Sequence, residues 1–115
     1  TTRRRRRVVT ATSHSIYTDD DGELSSGTAQ LWDVETGTLQ ATLEGHTDYV
    51  MSCAFSPDSK LVITASDDKM ARLWDVETGA PLKTLEGHTD DVQSCAFSPD
   101  GKRIVTASGK TARLW

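Results

Sequence analysis

The sequence predicts an all-β chain built from stacked four-stranded antiparallel units, and three observations carry that prediction. Gly45-His46 recurs as Gly87-His88, and Trp32-Asp33 recurs as Trp74-Asp75, each 42 residues later. Residues 35–66 and 77–108 align without a gap and match at 22 of 32 positions. Apolar runs within each unit are short, carry β-branched or aromatic residues, and end at turn formers. A fixed period near 40 residues is the mark of one supersecondary unit built repeatedly and stacked on its neighbours.

The elements follow in order within one unit. Leu39 to Leu43, Val50 to Phe55, Leu61 to Ala65 and Ala71 to Trp74 are the strand candidates. Glu35-Thr36-Gly37, Gly45-His46-Thr47-Asp48, Ser56-Pro57-Asp58-Ser59 and Ser66-Asp67-Asp68 separate them, giving an antiparallel meander. The next unit repeats the order. Its Ser98-Pro99-Asp100-Gly101 turn is expected to be the better one, because Gly101 tolerates positive φ where Ser59 does not.

The run from Gly45-His46 to Trp74-Asp75, with Ser56-Pro57-Asp58 and Ala71-Arg72-Leu73-Trp74 between, resembles a WD40 repeat. The resemblance covers nearly the whole chain and implies blades of a β-propeller. It divides the chain into a partial blade at 1–34 with a long acidic insertion at 13–27, a repeat at 35–76, and a repeat at 77–115 truncated at its final Trp. In family roles these supply three, four and three strands, about two and a half blades of an incomplete propeller. Both ends therefore read as cut. Two copies would duplicate second and third strands at the junction, so a regular ring of copies is not expected. The remaining blades are expected from the same longer chain or from another chain.

The resemblance also implies a hydrogen-bonded chain that fixes each blade. Matched residue by residue, it falls on His46, Ser66, Asp68 and Trp74, and again on His88, Ser108 and Trp115. A catalytic triad is the competing reading of His, Asp and Ser. It fails because a nucleophilic Ser must stand exposed beside an oxyanion hole, whereas this one lies among strand residues near a Trp. In the last unit Ser108 is followed by Gly109-Lys110-Thr111, one residue shorter and without the aspartate, so a looser blade is expected there.

Composition limits the function classes. Net charge is −4, yet five of the 13 basic residues form the run Arg3 to Arg7, and without them eight Lys/Arg face 17 Asp/Glu. An acidic body argues against a nucleic-acid surface, whose affinity comes from neutralising phosphates. No apolar stretch is long enough for a membrane span and no signal peptide is evident, so a cytoplasmic address is the expectation. Cys53 and Cys95 occupy equivalent places and read as small buried apolar residues rather than a disulfide or metal pair. There is no phosphate loop, metal-ligand cluster or suitably placed nucleophile; no enzyme activity, cofactor or metal is expected.

Two segments keep alternative readings. The insertion Ser13 to Gly27 carries Asp19, Asp20, Asp21 and Glu23 and is too polar to fold alone, so it reads as an exposed loop. Partner contact and calcium are its functional readings, the latter lacking alternating EF-hand ligands. The arginine run suits a nuclear-import signal, a nucleic-acid arm, or a charged strand edge that resists pairing.

Positions where the two matching units differ are the candidates for binding. Tyr49 and Met51 flank Val50, and Asp91 and Gln93 flank Val92. On a regular strand each flanking pair shares the face opposite the buried valine. The resemblance places them at the channel mouth, where Asp67 completes the patch. The expected function is a protein-interaction scaffold that holds a peptide or partner domain. The alternative is a sensor segment of a larger signalling protein linked to an ATPase or protease.

Overall fold

The computed structural model describes residues 7–11 and 27–115. Within them ten strands form three antiparallel sheets. The first holds β1 (Arg7–Ala11), β2 (Ala29–Asp33) and β3 (Leu39–Leu43). The second holds β4 (Val50–Phe55), β5 (Leu61–Ser66), β6 (Ala71–Asp75) and β7 (Pro81–Leu85). The third holds β8 (Val92–Phe97), β9 (Ile104–Ser108) and β10 (Ala112–Leu114). Each strand pairs with its sequence neighbour, and the sheets break at the Gly-His turns, so the strand before each turn is the outer strand of the preceding sheet. The described residues thus form blades of an incomplete propeller with three, four and three strands.

Alternation along β5 explains the stacking. Val62 points to the first sheet and packs with Ala29, Leu31, Leu43, Val50, Trp74 and Val76. Ile63 and Ala65 point the other way and pack with Ala71, Val92, Cys95 and Ile104. The middle sheet is buried on both faces, which is why β5 is apolar along most of its length. Each buried Val, Ile or Leu contributes about 1.5–3 kcal/mol by leaving water.

The turns are built from side chains that replace missing ladder bonds. Ser56 Oγ donates to Asp58 Oδ1 at 2.6 Å, and that carboxylate accepts the Lys60 N–H at 3.0 Å. The Ser56 hydroxyl and then the Lys60 amide hold the Asp58 carboxyl below its ordinary value. Ser98 and Asp100 repeat the arrangement. Ser59 does adopt the left-handed conformation, with φ of 63°, and Gly101 has φ of 74°. The two turns therefore share one backbone shape. They differ in strain, since a Cβ in this region costs on the order of 1 kcal/mol.

Register shifts interrupt four of the described strand pairs: Gln40 and Leu82 are skipped in the outer strands, and two β-bulges lie at the starts of β4 and β8. Val50 pairs with Ser66 but Ser52 pairs with Ala65, leaving Met51 as the extra residue, and Gln93 is the extra residue between Val92 and Ser94. The bulge brings Ser52 round to the face opposite Val50 and aligns Cys53 with Thr64, as Cys95 aligns with Thr106. Each cysteine then faces the preceding sheet: Cys53 Sγ lies 3.9 Å from the Val9 carbonyl oxygen, and Cys95 Sγ 3.7 Å from that of Ile63. Both are free thiols. Burial raises the Cys53 pKa and pushes that of Cys95 up to about 11, so both stay protonated and unreactive at neutral pH.

Of the arginine run only Arg7 is among the described residues. It opens β1, donates through Nε to Gln40 Oε1 at 2.9 Å, and sits 3.3 Å from Glu77, tying the first sheet to the turn after β6. Arg3 to Arg6 and residues 13–26 of the insertion lie outside the described residues.

Candidate binding surface at the ends of the blades

Each blade is fixed by a Trp indole, a Thr hydroxyl and, in the second and third, a His ring. Trp74 Nε1 donates to Thr64 Oγ1 at 2.9 Å, and Thr64 Oγ1 lies 2.6 Å from His46 Nε2. His46 Nδ1 lies 2.7 Å from Asp68 Oδ2. With Nδ1–H donated to the carboxylate, Nε2 is left to accept the Thr64 hydroxyl proton, and the chain of donors is complete from Trp74 to Asp68. Burial pushes the Asp68 carboxyl up. The hydrogen bond from His46, with those from the Thr47 and Met70 amides, outweighs it and holds the carboxyl below its ordinary value.

The hydroxyl in this chain is Thr64, which corrects the assignment to Ser66. Trp74 stands opposite Val62, so on the same face Thr64 is its diagonal neighbour, and Ser66 lies a further pair along. Ser66 instead closes the strand end: its Oγ donates to the Asp48 carbonyl at 3.3 Å and accepts the Asp68 N–H at 3.1 Å. Ser108 is corrected likewise. Thr106 takes Trp115 Nε1 at 2.8 Å and lies 2.6 Å from His88 Nε2, whereas Ser108 bonds to Thr111. In the first blade Trp32 Nε1 donates to Thr10 at 3.0 Å.

The third blade lacks the carboxylate, as its sequence indicates. His88 Nδ1 has Thr111 Oγ1 at 3.5 Å, a contact at the limit of a hydrogen bond. Burial, and then the Arg113 charge, lower the His88 pKa and favour the neutral ring.

The candidate binding residues gather where β4 and β8 begin and β5 ends. The Asp67 N–H donates to the Tyr49 carbonyl at 3.0 Å, which locks the β5–β6 turn to the start of β4. The Gly27 N–H donates to the Asp48 carbonyl at 3.2 Å, and a Cβ on Gly27 would collide with that oxygen, so only glycine lets the first blade approach this closely. Tyr49, Asp67 and Asp91 are half-buried, and Met51 and Gln93 are exposed. The bulges aim Met51 and Gln93, an arrangement that strict alternation does not foresee. Burial and then the charges of Asp91, Asp48 and Asp68 push the Asp67 carboxyl above its ordinary value. Asp48, not among the expected residues, belongs to this patch; its place beside Tyr49 after the Gly-His turn was the available signal. Among the described residues no group of three or more His, Cys, Asp or Glu side chains could hold a metal ion.

The family model for the WD40 repeat (WD domain, G-beta repeat) matches residues 37–75 and 79–115. The chain belongs to the WD40 repeat family. It is 44% identical over 57 residues to WD repeat-containing protein SL1-17 of Schistosoma mansoni, covering 46% of this chain and 19% of that protein. It is 47% identical over 47 residues to WD repeat and SOCS box-containing protein 1 of Takifugu rubripes, covering 40% of this chain and 11% of that protein. Against Coronin-7 of Rattus norvegicus it is 44% identical over 41 residues, covering 36% and 4%. The aligned part thus spans less than a fifth of the length of any of these relatives. WD40 repeats are in general non-enzymatic interaction modules that bind protein partners.

Two predictions separate the roles of these side chains. Thr64→Val orphans the Trp74 N–H and a His46 ring nitrogen and should destabilise the chain by about 2–4 kcal/mol, against about 1 kcal/mol for Ser66→Ala. Denaturant unfolding of the two variants checks the order; the reverse order would restore Ser66 to the chain.

Acid should act on the blades in sequence. His88 has a lowered folded pKa, so its contribution is full above its ordinary value of 6.5 and lost as pH falls through the folded value. Asp68 is also lowered, and its contribution is full above 3.8 and lost only below that. Amide exchange should therefore loosen at Cys95 and Thr106 in mildly acidic solution while Cys53 and Thr64 stay protected. Parallel loss in both blades would refute this.

Proposed function

We propose that the chain is a protein-interaction module whose acidic blade ends hold a basic, partly apolar peptide segment. One observation carries the reading: Asp67 stays half-buried next to the charges of Asp91, Asp48 and Asp68, with its carboxyl pushed upward by burial and by theirs. A fold that keeps the Asp67 carboxylate beside these neighbours gains when a Lys or Arg side chain arrives next to it. Met51 supports the apolar part, since it is exposed on a bulge beside the acidic group. Gln93 takes the equivalent bulge of the next blade and suits hydrogen bonding to a peptide backbone. Membership of a family of interaction modules supports the general reading, and the named residues supply the specific one.

The sign of the Asp67 shift separates binding from stability. A carboxyl whose folded pKa is raised contributes stability that is present below its ordinary 3.8 and lost as pH rises through the folded value. At neutral pH its charge is thus carried against the fold. Asp67→Asn combined with Asp91→Asn should leave the thermal midpoint unchanged or higher.

The same double variant should bind a labelled peptide of alternating lysine and leucine roughly tenfold more weakly. That is about 1.4 kcal/mol for two partly exposed charge contacts. Fluorescence anisotropy at low and high salt reads it, with added salt reducing the wild-type affinity. Equal binding by the variant, or equal binding of a glutamate–leucine peptide by the wild type, would overturn the proposal.

A further inference from the structure

The second and third blades carry the same His, Thr and Trp, yet only the second ends its hydrogen-bonded chain on a carboxylate. Asp68 Oδ2 takes two donors at once, His46 Nδ1–H at 2.7 Å and the Thr47 N–H at 3.1 Å, while Oδ1 takes the Met70 N–H at 3.0 Å. The corresponding donors of the third blade are His88 Nδ1, the Thr89 N–H and the Thr111 N–H. Ser108 Oγ engages the last of these at 3.3 Å. The other two have no comparable acceptor: Thr111 Oγ1 is 3.5 Å from His88 Nδ1, and the Thr89 N–H has no hydrogen bond among the described residues.

The His88 ring lies on the side of the third blade that meets the second, beside Trp115, which packs on the core the two share, and it is only 7% exposed. Thr106 sets its tautomer. That hydroxyl accepts the Trp115 indole proton at 2.8 Å and gives its own to His88 Nε2 at 2.6 Å, so the ring proton rests on Nδ1. A buried N–H without a good acceptor is costly, and a ligand that brings one relieves the cost. The way in is open: Thr89, Gly109, Lys110 and Thr111 are exposed, and Gly109 adds no side chain to the turn. A Cβ there would meet Asp90 Oδ2 at 3.6 Å, an ordinary contact. The Arg113 guanidinium comes within 3.0 Å of the position a Gly87 Cβ would take, and its charge acts on the His88 ring. It opposes the field of Asp90, whose Oδ1 accepts the Asp91 N–H.

We propose that this turn of the third blade is a carboxylate-binding site, in which one oxygen of a ligand carboxylate lies between His88 Nδ1 and the Thr89 N–H, as Asp68 Oδ2 lies between His46 and Thr47. The ligand then completes the chain that Asp68 completes in the second blade, and bonds to an ionised acceptor are stronger than neutral ones. An aspartate or glutamate side chain and a chain-terminal carboxylate share this chemistry. The site stands apart from the basic-segment reading, since it takes the opposite charge and uses none of Asp67, Asp91, Met51 or Gln93.

Nitrogen-resolved NMR of the whole chain at neutral pH, titrated with sodium acetate and, at matched ionic strength, with sodium chloride, tests the site. Acetate should shift the Thr89 amide and the Trp115 indole along one saturable curve, and slow exchange of that indole roughly tenfold at saturation. The Thr47 amide and the Trp74 indole should not respond, because Asp68 already holds the place. In an Asp68→Ala variant they should, with acetate restoring protection to the Trp74 indole; the wild-type titration decides the matter even where that variant does not fold. Two blocked tripeptides separate the sources. Acetyl-glycyl-glutamyl-glycinamide saturating at the lower concentration assigns the site to an acidic side chain, and acetyl-triglycine doing so assigns it to a chain terminus. A Thr89 amide that stays unmoved by acetate, or moves as far with chloride, overturns the proposal. So does an equal response at Thr47 and Trp74 in the wild type.

Discussion

The buried hydroxyl of Thr64 is the point on which the middle blade depends. It receives the Trp74 indole proton and meets the His46 ring, and all three side chains are almost wholly shielded from water. A buried indole N–H without an acceptor would cost about 1–3 kcal/mol, and so would an unpartnered ring nitrogen. One hydroxyl answers both. Because His46 lies in the turn that enters β4, and Trp74 stands near the end of β6, the same contact ties that turn to β5 and β6. The carboxylate of Asp68 extends the chain to the β5–β6 turn and so carries the constraint to the end of the blade where Asp67 sits.

From that anchored turn the candidate surface follows. Asp67 is held by its amide on Tyr49, Gly27 brings the first blade against Asp48, and the bulges turn Met51 and Gln93 outward. The rigid part is backbone, and the variable part is side chain. Such a division suits recognition, since Tyr49 and Met51 can become Asp91 and Gln93 in the next repeat without altering the strand path. The Asp67 carboxyl at this end stands against its neighbours, whereas those of Asp58 and Asp100 serve their own turns and are favoured by them.

Much of the fold was legible because a repeat constrains itself. The 42-residue spacing, the turn residues and the short β-branched runs placed the strands of the repeats, and the resemblance to the WD40 repeat supplied the division among three sheets that the described residues show. What escaped was register. Thr64 and Ser66 lie on one face of β5 and sequence pattern treats them alike; only pairing of Trp74 with Val62 makes Thr64 the neighbour of the indole. The bulges escaped for the same reason, since an extra residue in a ladder leaves no compositional trace. At Ser59 the residue type argued against a positive φ that the Ser56 and Asp58 hydrogen bonds nevertheless impose. Of the binding surface, the sequence indicated which positions vary, while the way Asp48, Asp67 and Asp91 share a field required the folded chain.

The measurement that bears most directly on this account is the exchange rate of the three tryptophan indole protons, read by nitrogen-resolved NMR. The indole of Trp74, bonded to a hydroxyl that His46 and Asp68 hold in place, should exchange slowest. That of Trp115, whose His88 lacks the carboxylate, should be faster, and that of Trp32, on the exposed Thr10, fastest. Three equal rates, or a Trp74 proton that exchanges as freely as that of Trp32, would contradict the claim that the Thr64 contact holds the blade together.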